Sequence, residues 1–131
     1  MSEAIELGLE PKVVGNITYN GRDYPITNEA INDILTTAIE SGIGYWCESM
    51  GSDGPDLGVG PGLHLGEGGQ LKFTCVEGDG DVLMNLDTFL EAYSTHCEEK
   101  GWDPEEMHEQ GDCEDADVIV QYALFGELVY G

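Results

Sequence analysis

The chain has 131 residues, with 27 acidic side chains against 4 basic ones (Lys12, Arg22, Lys72 and Lys100) and a formal charge of −23. That balance excludes direct binding to nucleic acid, which needs clustered Lys and Arg to neutralise phosphate, and it excludes docking on an anionic membrane surface. No apolar run reaches the roughly 18 residues of a spanning helix, and no basic stretch followed by an apolar one opens the chain, so the expectation is a soluble protein of the cytoplasm, one domain over residues 1–131.

Residues 1–12 are mixed and read as loosely held. Val13 to Tyr19 reads as a strand, Asn20-Gly21 as a two-residue hairpin turn and Arg22 to Ile26 as the return strand. Pro25 lacks an N–H and places that strand at an edge. Thr27 or Asn28 caps a helix whose apolar stripe is Ile31, Ile34, Leu35, Ala38 and Ile39, with Gly42 at its C-terminal cap. Ile43, Tyr45 and Trp46 continue the apolar patch.

Residues 48–70 are crowded with glycine and read as a flexible surface loop. A phosphate-cradling loop fails on chemistry: no Gly-Lys-Ser/Thr follows, and Asp53, Asp56 and Glu67 would repel phosphate. Leu71 to Val76 and Val82 to Leu86 read as a second hairpin, with Leu71, Phe73 and Cys75 on one face. The turn Glu77-Gly78-Asp79-Gly80-Asp81 has alternating oxygen ligands like a calcium loop but lacks the closing Glu in register.

Asp87 is the expected cap of a helix that turns Phe89, Leu90, Tyr93 and Cys97 inward and stops at Gly101. Trp102 folds back on the core. Asp103-Pro104-Glu105-Glu106 is a helix-start pattern for a short helix over 105–110. Asp112 caps the last helix, expected over 114–130, which is apolar nearly all round and so central and buried. The expected fold class is α+β: two β-hairpins packed against three main helices.

The four cysteines, Cys47, Cys75, Cys97 and Cys113, form no Cys-x-x-Cys pair and read as reduced thiols. A zinc set from His96, Cys97, His108 and Cys113 has the right ligand types, but His96 and Cys97 diverge by about 100° on a helix. No metal and no cofactor is expected. No Gly-x-Ser-x-Gly elbow, His-Glu-x-x-His or Walker loop is present, so the expectation is a binder and not an enzyme. Tyr45 and Trp46 offer ring stacking for a flat, nucleotide-like ligand as an alternative to a place in the core.

Two stretches, Ala38-Ile39-Glu40-Ser41-Gly42-Ile43-Gly44-Tyr45-Trp46-Cys47 and Asp117-Val118-Ile119-Val120-Gln121-Tyr122-Ala123-Leu124-Phe125-Gly126-Glu127-Leu128-Val129-Tyr130-Gly131, resemble small proteins encoded by bacteriophages and prophages. Those carry a similar Ala-x-Glu-x-Gly-Ile-x-Tyr-Trp stretch and a Gln-Tyr-Ala-Leu-Phe-Gly-Glu segment. The resemblance speaks for fold and transfers no catalytic residue. Many phage accessory proteins of this size counter host defences, and the resemblance implies that role.

Residues 87–117 hold twelve carboxylates offset only by Lys100, a local charge of −11, whereas the last fourteen residues carry only Glu127. Asp87, Glu91 and Glu98 share a helix face at steps of about 6 and 10 Å, comparable with the spacing of phosphates. Glu105, Glu109 and Asp112 continue the row if the short helix stacks alongside. The expected partner surface is therefore Asp87, Glu91, Glu98, Glu99, Asp103, Glu105, Glu106, Glu109 and Asp112, imitating a nucleic-acid backbone for a basic, nucleic-acid-binding host protein. Two alternatives stand beside it. One is a non-catalytic interaction or assembly module whose acidity reflects a salt-rich host; the other is a nucleotide-sequestering protein. The apolar C-terminal helix also offers a homodimer interface.

Overall fold

A computed structural model describes residues 12–53, 60–76 and 81–130. Residues 1–12 therefore fall almost wholly outside it, and so do Gly54 to Gly58 and most of the calcium-like turn, Glu77 to Gly80. The fold is α+β; among the described residues it has a two-stranded hairpin, a separate three-stranded antiparallel sheet and five α-helices.

Strands β1 (Val13–Tyr19) and β2 (Arg22–Thr27) pair across Asn20 (φ 53°) and Gly21 (φ 79°), the two positive φ values that the tight hairpin turn demands. Helix α1 (Asn28–Thr37) starts where the Thr27 hydroxyl accepts the Ala30 N–H at 3.1 Å. It runs directly into a π-helical turn, Ala38–Gly42, closed by Ile43 N–H to Ala38 O at 2.9 Å. That wider turn shifts the inward phase by one residue. Ile43 is buried in consequence, while Ile39, expected on the apolar stripe, is 38% exposed. Gly42 is not the left-handed cap its position suggests. A Cβ there would lie 2.8 Å from Cys113 O, so its smallness admits another helix end.

The stretch 48–70, read as a loop, instead carries strand β3 (Cys47–Asp53) and helix α2 (Pro61–Gly66). The expected antiparallel pair, β4 (Gln70–Cys75) with β5 (Asp81–Met84), is present and gains β3 as a third strand on the other side of β4, with Leu71, Phe73, Cys75 and Met84 buried beneath the sheet. Glycine here serves close packing. A Cβ on Gly62 would stand 2.1 Å from the Asn32 backbone nitrogen, and Gly62 N–H donates to Asn32 Oδ1 at 3.0 Å. Gly62→Ala must therefore push α2 off α1, at about 2 kcal/mol or roughly 7 °C in melting temperature. Gly51→Ala, where a Cβ meets nothing within 4 Å, is the control and should melt like the native chain.

Helix α3 (Leu86–Lys100) is capped by Asn85, not Asp87. The Asn85 side chain accepts Thr88 N–H at 2.9 Å, and Thr88 Oγ1 accepts Asn85 N–H at 3.2 Å. This reciprocal pair leaves Asp87 free in the first turn. Phe89, Tyr93 and Cys97 are buried as expected, joined by Ala92 and His96, and Leu90 is partly buried. Gly101 ends α3 at φ 74°. Helix α4 (Pro104–Gln110) opens with an Asp103–Glu106 capping box.

Helix α5 (Cys113–Phe125) opens with an Asp112–Asp115 box and stops at Gly126, in the left-handed region at φ 77°. It is thus shorter than the 114–130 expected, because a left-handed glycine breaks the helical path before Leu128 and Val129, which are exposed. α5 packs against α3, α1, the π turn and β5. Ile119, Val120 and Gln121 lie at most 1% exposed on it.

Candidate functional site

The acidic segment is built on α3, α4 and the caps between them. One turn per 3.6 residues puts Asp87, Glu91 and Glu98 within about 40° of each other, opposite the face that buries Phe89, Tyr93 and His96. All three are exposed, and so are Glu99, Glu105, Glu106, Glu109 and Asp112, whereas Asp103 is half-buried.

The nine acids named from the sequence divide by what they hold. Asp103 Oδ1 accepts Glu106 N–H at 2.8 Å, and Glu106 Oε1 accepts Asp103 N–H at 3.1 Å. Asp112 Oδ1 accepts the N–H groups of Glu114 and Asp115 at 3.0 and 3.2 Å. Glu99 Oε1 accepts the Tyr122 hydroxyl at 2.7 Å. These four carboxylates serve helix ends and packing as well as the surface. Asp87, Glu91, Glu98, Glu105 and Glu109 make no ion pair among the described residues.

Lys100, the only base of the segment, does not offset them. Its ammonium lies 3.2 Å from Asp115 Oδ1 and 4.4 Å from the centre of the Trp102 ring. Asp115 is 7% exposed and also accepts His96 Nε2–H at 2.8 Å and Asp112 N–H at 3.0 Å. Burial alone would raise its pKa. The hydrogen bonds from His96, from the Asp112 backbone and from Lys100 outweigh that and hold it below the usual aspartate value. This buried cluster was missed in the sequence, where His96 entered only as a metal ligand.

The zinc candidates do not converge. His96 faces Asp115, Cys97 is buried, His108 Nε2 bonds Asp33 at 2.9 Å and Cys113 begins α5. Among the described residues no three His, Cys, Asp or Glu side chains form a metal-holding group. Burial, then Asp103 and Glu98, push the Cys97 thiol up to about 12, so it is protonated and a poor nucleophile at neutral pH.

Tyr45 and Trp46 do not form a stacking platform. Trp46 is 1% exposed, and Tyr130 already covers its ring, parallel at a 5.1 Å centroid distance. Its Nε1–H donates to Asp117 Oδ1 at 2.8 Å, while the exposed Tyr45 donates its hydroxyl to Asp117 Oδ2 at 2.6 Å. Burial and the Asp117 carboxylate together raise the Tyr45 pKa to about 12. Gln121 completes the arrangement. Its Nε2 donates to Asp117 Oδ1 at 2.9 Å, and its Oε1 accepts Val129 and Tyr130 N–H at 2.9 and 2.8 Å. Residues from the stretches 38–47 and 117–130 therefore meet in one structural clasp.

No helix among the described residues is long and apolar enough to cross a membrane. Comparison with known protein families, curated proteins and solved structures finds no match.

Proposed function

We propose that this chain is a phage-type, non-catalytic inhibitor that acts in the host cytoplasm by presenting carboxylates to the nucleic-acid-binding surface of a basic host protein. The observation that carries the reading is the set Asp87, Glu91, Glu98, Glu105 and Glu109: exposed, on adjoining helices, with the one neighbouring lysine drawn into Asp115. A low-dielectric protein body behind such a set focuses its field outward, which raises encounter rates with a cationic groove. The self-repulsion of these groups costs stability, and binding a cationic partner offsets it.

The test replaces Glu91, Glu98, Glu105 and Glu109 by Lys. None of the four caps a helix or pairs with a buried group, so the fold is retained. Binding to the partner recovered from host lysate should weaken about a hundredfold or more, and binding of the native chain should weaken steeply between about 0.05 and 0.5 M salt. Unchanged binding by the quadruple variant would reject the charge-mimic reading.

A second reading draws on the exposed carboxylates outside the segment, such as Asp23 on β2 and Glu29 and Asp33 on α1. It is an acidic interaction module whose charge reflects a salt-rich host. Partner binding that persists at about 0.5 M salt favours it.

A further inference from the structure

A groove of about 520 Å³ runs between α3 and the C-terminal end of α5. It exists because the residues that meet there, Ala92, Ala123 and Gly126, are small. Its size lies in the range of about 300–1,000 Å³ that encloses a drug-sized ligand or a short peptide stretch. The lining is mostly apolar and includes Leu128, with the exposed carboxylates Glu91, Glu99 and Glu127 beside it. No Lys or Arg contributes to it.

Glu99 and the segment that carries Leu128 are held in place. Tyr122 fixes Glu99 at 2.7 Å, and the buried Nδ1 of His96, which has no hydrogen-bond partner, stands 3.7 Å behind the same Glu99 oxygen. Gln121 binds the backbone of Val129 and Tyr130, which anchors the segment that carries Leu128. An apolar trough edged by three carboxylates selects against phosphates and free carboxylates. A second copy of this chain is selected against too, since it brings another −23 to the contact. What complements the groove is an apolar side chain flanked by cations.

We infer that this groove seats a basic, leucine-bearing segment of the partner, with the apolar side chain in the trough and the flanking Arg or Lys on Glu91, Glu99 and Glu127. The inference rests on the reading of a cationic partner. It adds that recognition is not by charge alone.

The test is fluorescence anisotropy with a labelled arginine-rich peptide carrying leucines and a control peptide with serine for every leucine. The native chain should bind the leucine peptide about tenfold more tightly than the serine peptide. Thr95→Trp, which fills the groove from an exposed position without altering charge, should abolish that advantage and leave serine-peptide binding unchanged. Leu128→Ser, at another exposed position, should reduce the advantage severalfold; circular dichroism checks both folds. Glu98→Lys with Glu105→Lys, outside the groove, should weaken both peptides alike. Equal affinity of the native chain for the two peptides, a leucine advantage that survives Thr95→Trp, or dimerisation of the chain through the groove overturns the inference. A native chain that shows no leucine advantage, yet loses affinity for both peptides with Glu98→Lys and Glu105→Lys, removes the groove and leaves the charge reading standing. The opposite pattern removes the charge reading alone.

Discussion

Trp46→Ala is expected to destabilise the chain by about 4 kcal/mol, or about 15 °C in melting temperature. The indole is 1% exposed, stacks on Tyr130 and meets the Phe125 ring edge-on at 5.7 Å. Removing it opens a cavity under the residues that follow α5 and leaves the Asp117 carboxylate without one of its donors. Trp46→Phe keeps much of the stacking and loses only the N–H, so it should cost about 1–2 kcal/mol. Urea unfolding of the two variants separates the contributions. A loss below about 1 kcal/mol for Trp46→Ala would mean that the Trp46–Tyr130 stack contributes little in solution. The same geometry predicts that nucleotides leave the melting temperature of the native chain unchanged, because the face they would stack on is occupied.

The parts of this fold legible in the sequence are those set by neighbours in the chain. Asn20-Gly21, Asp103-Pro104, Asp112 and Gly101 each announce a turn or a helix end through a local backbone requirement, and each stands where that requirement puts it. β3 and α2 were not legible for the opposite reason. Cys47–Asp53 has weak strand propensity and becomes a strand by pairing with β4, 17 to 28 positions on in register. The glycines of α2 look like loop composition until Asn32 is placed against Gly62 and Asn28 and Val14 against Gly66. The charge of segment 87–117 was equally plain, but its division was not. Whether a carboxylate caps a helix, as Asp103 and Asp112 do, or stands free, as Glu91 and Glu98 do, depends on backbone N–H groups that only the folded chain brings into reach. Lys100 shows the same limit: its ion pair with Asp115 spans fifteen positions and reverses the sense in which it offsets its neighbours. Gln121, the polar break in an apolar helix, was the one available signal for the clasp, since a buried amide must find partners.

Asp115→Ala is the second large effect, expected at about 3 kcal/mol, or roughly 10 °C. The substitution strands the buried His96 Nε2–H, frees Lys100 and removes the carboxylate that completes the α5 capping box. Much of the loss is the penalty of leaving those groups unpaired, so Asp115→Asn, which keeps an acceptor, should lose less. The pH dependence discriminates an ionised Asp115 from a merely well-packed one. Its pKa is lower in the folded chain than the ordinary aspartate value it takes when unfolded. The unfolded state therefore binds the proton first as pH falls. The added stability is complete above the ordinary value, and it is lost as pH drops through the lowered one. The gap in melting temperature between the native chain and Asp115→Asn should thus be full at about pH 6 and shrink progressively below about pH 4. Contributions common to both proteins cancel in the difference. A gap that stays constant or widens on acidification would show that Asp115 carries no charge in the native chain; Lys100 would then remain an uncancelled cation beside the acidic face, and the exposed carboxylates would present a weaker field to any basic partner.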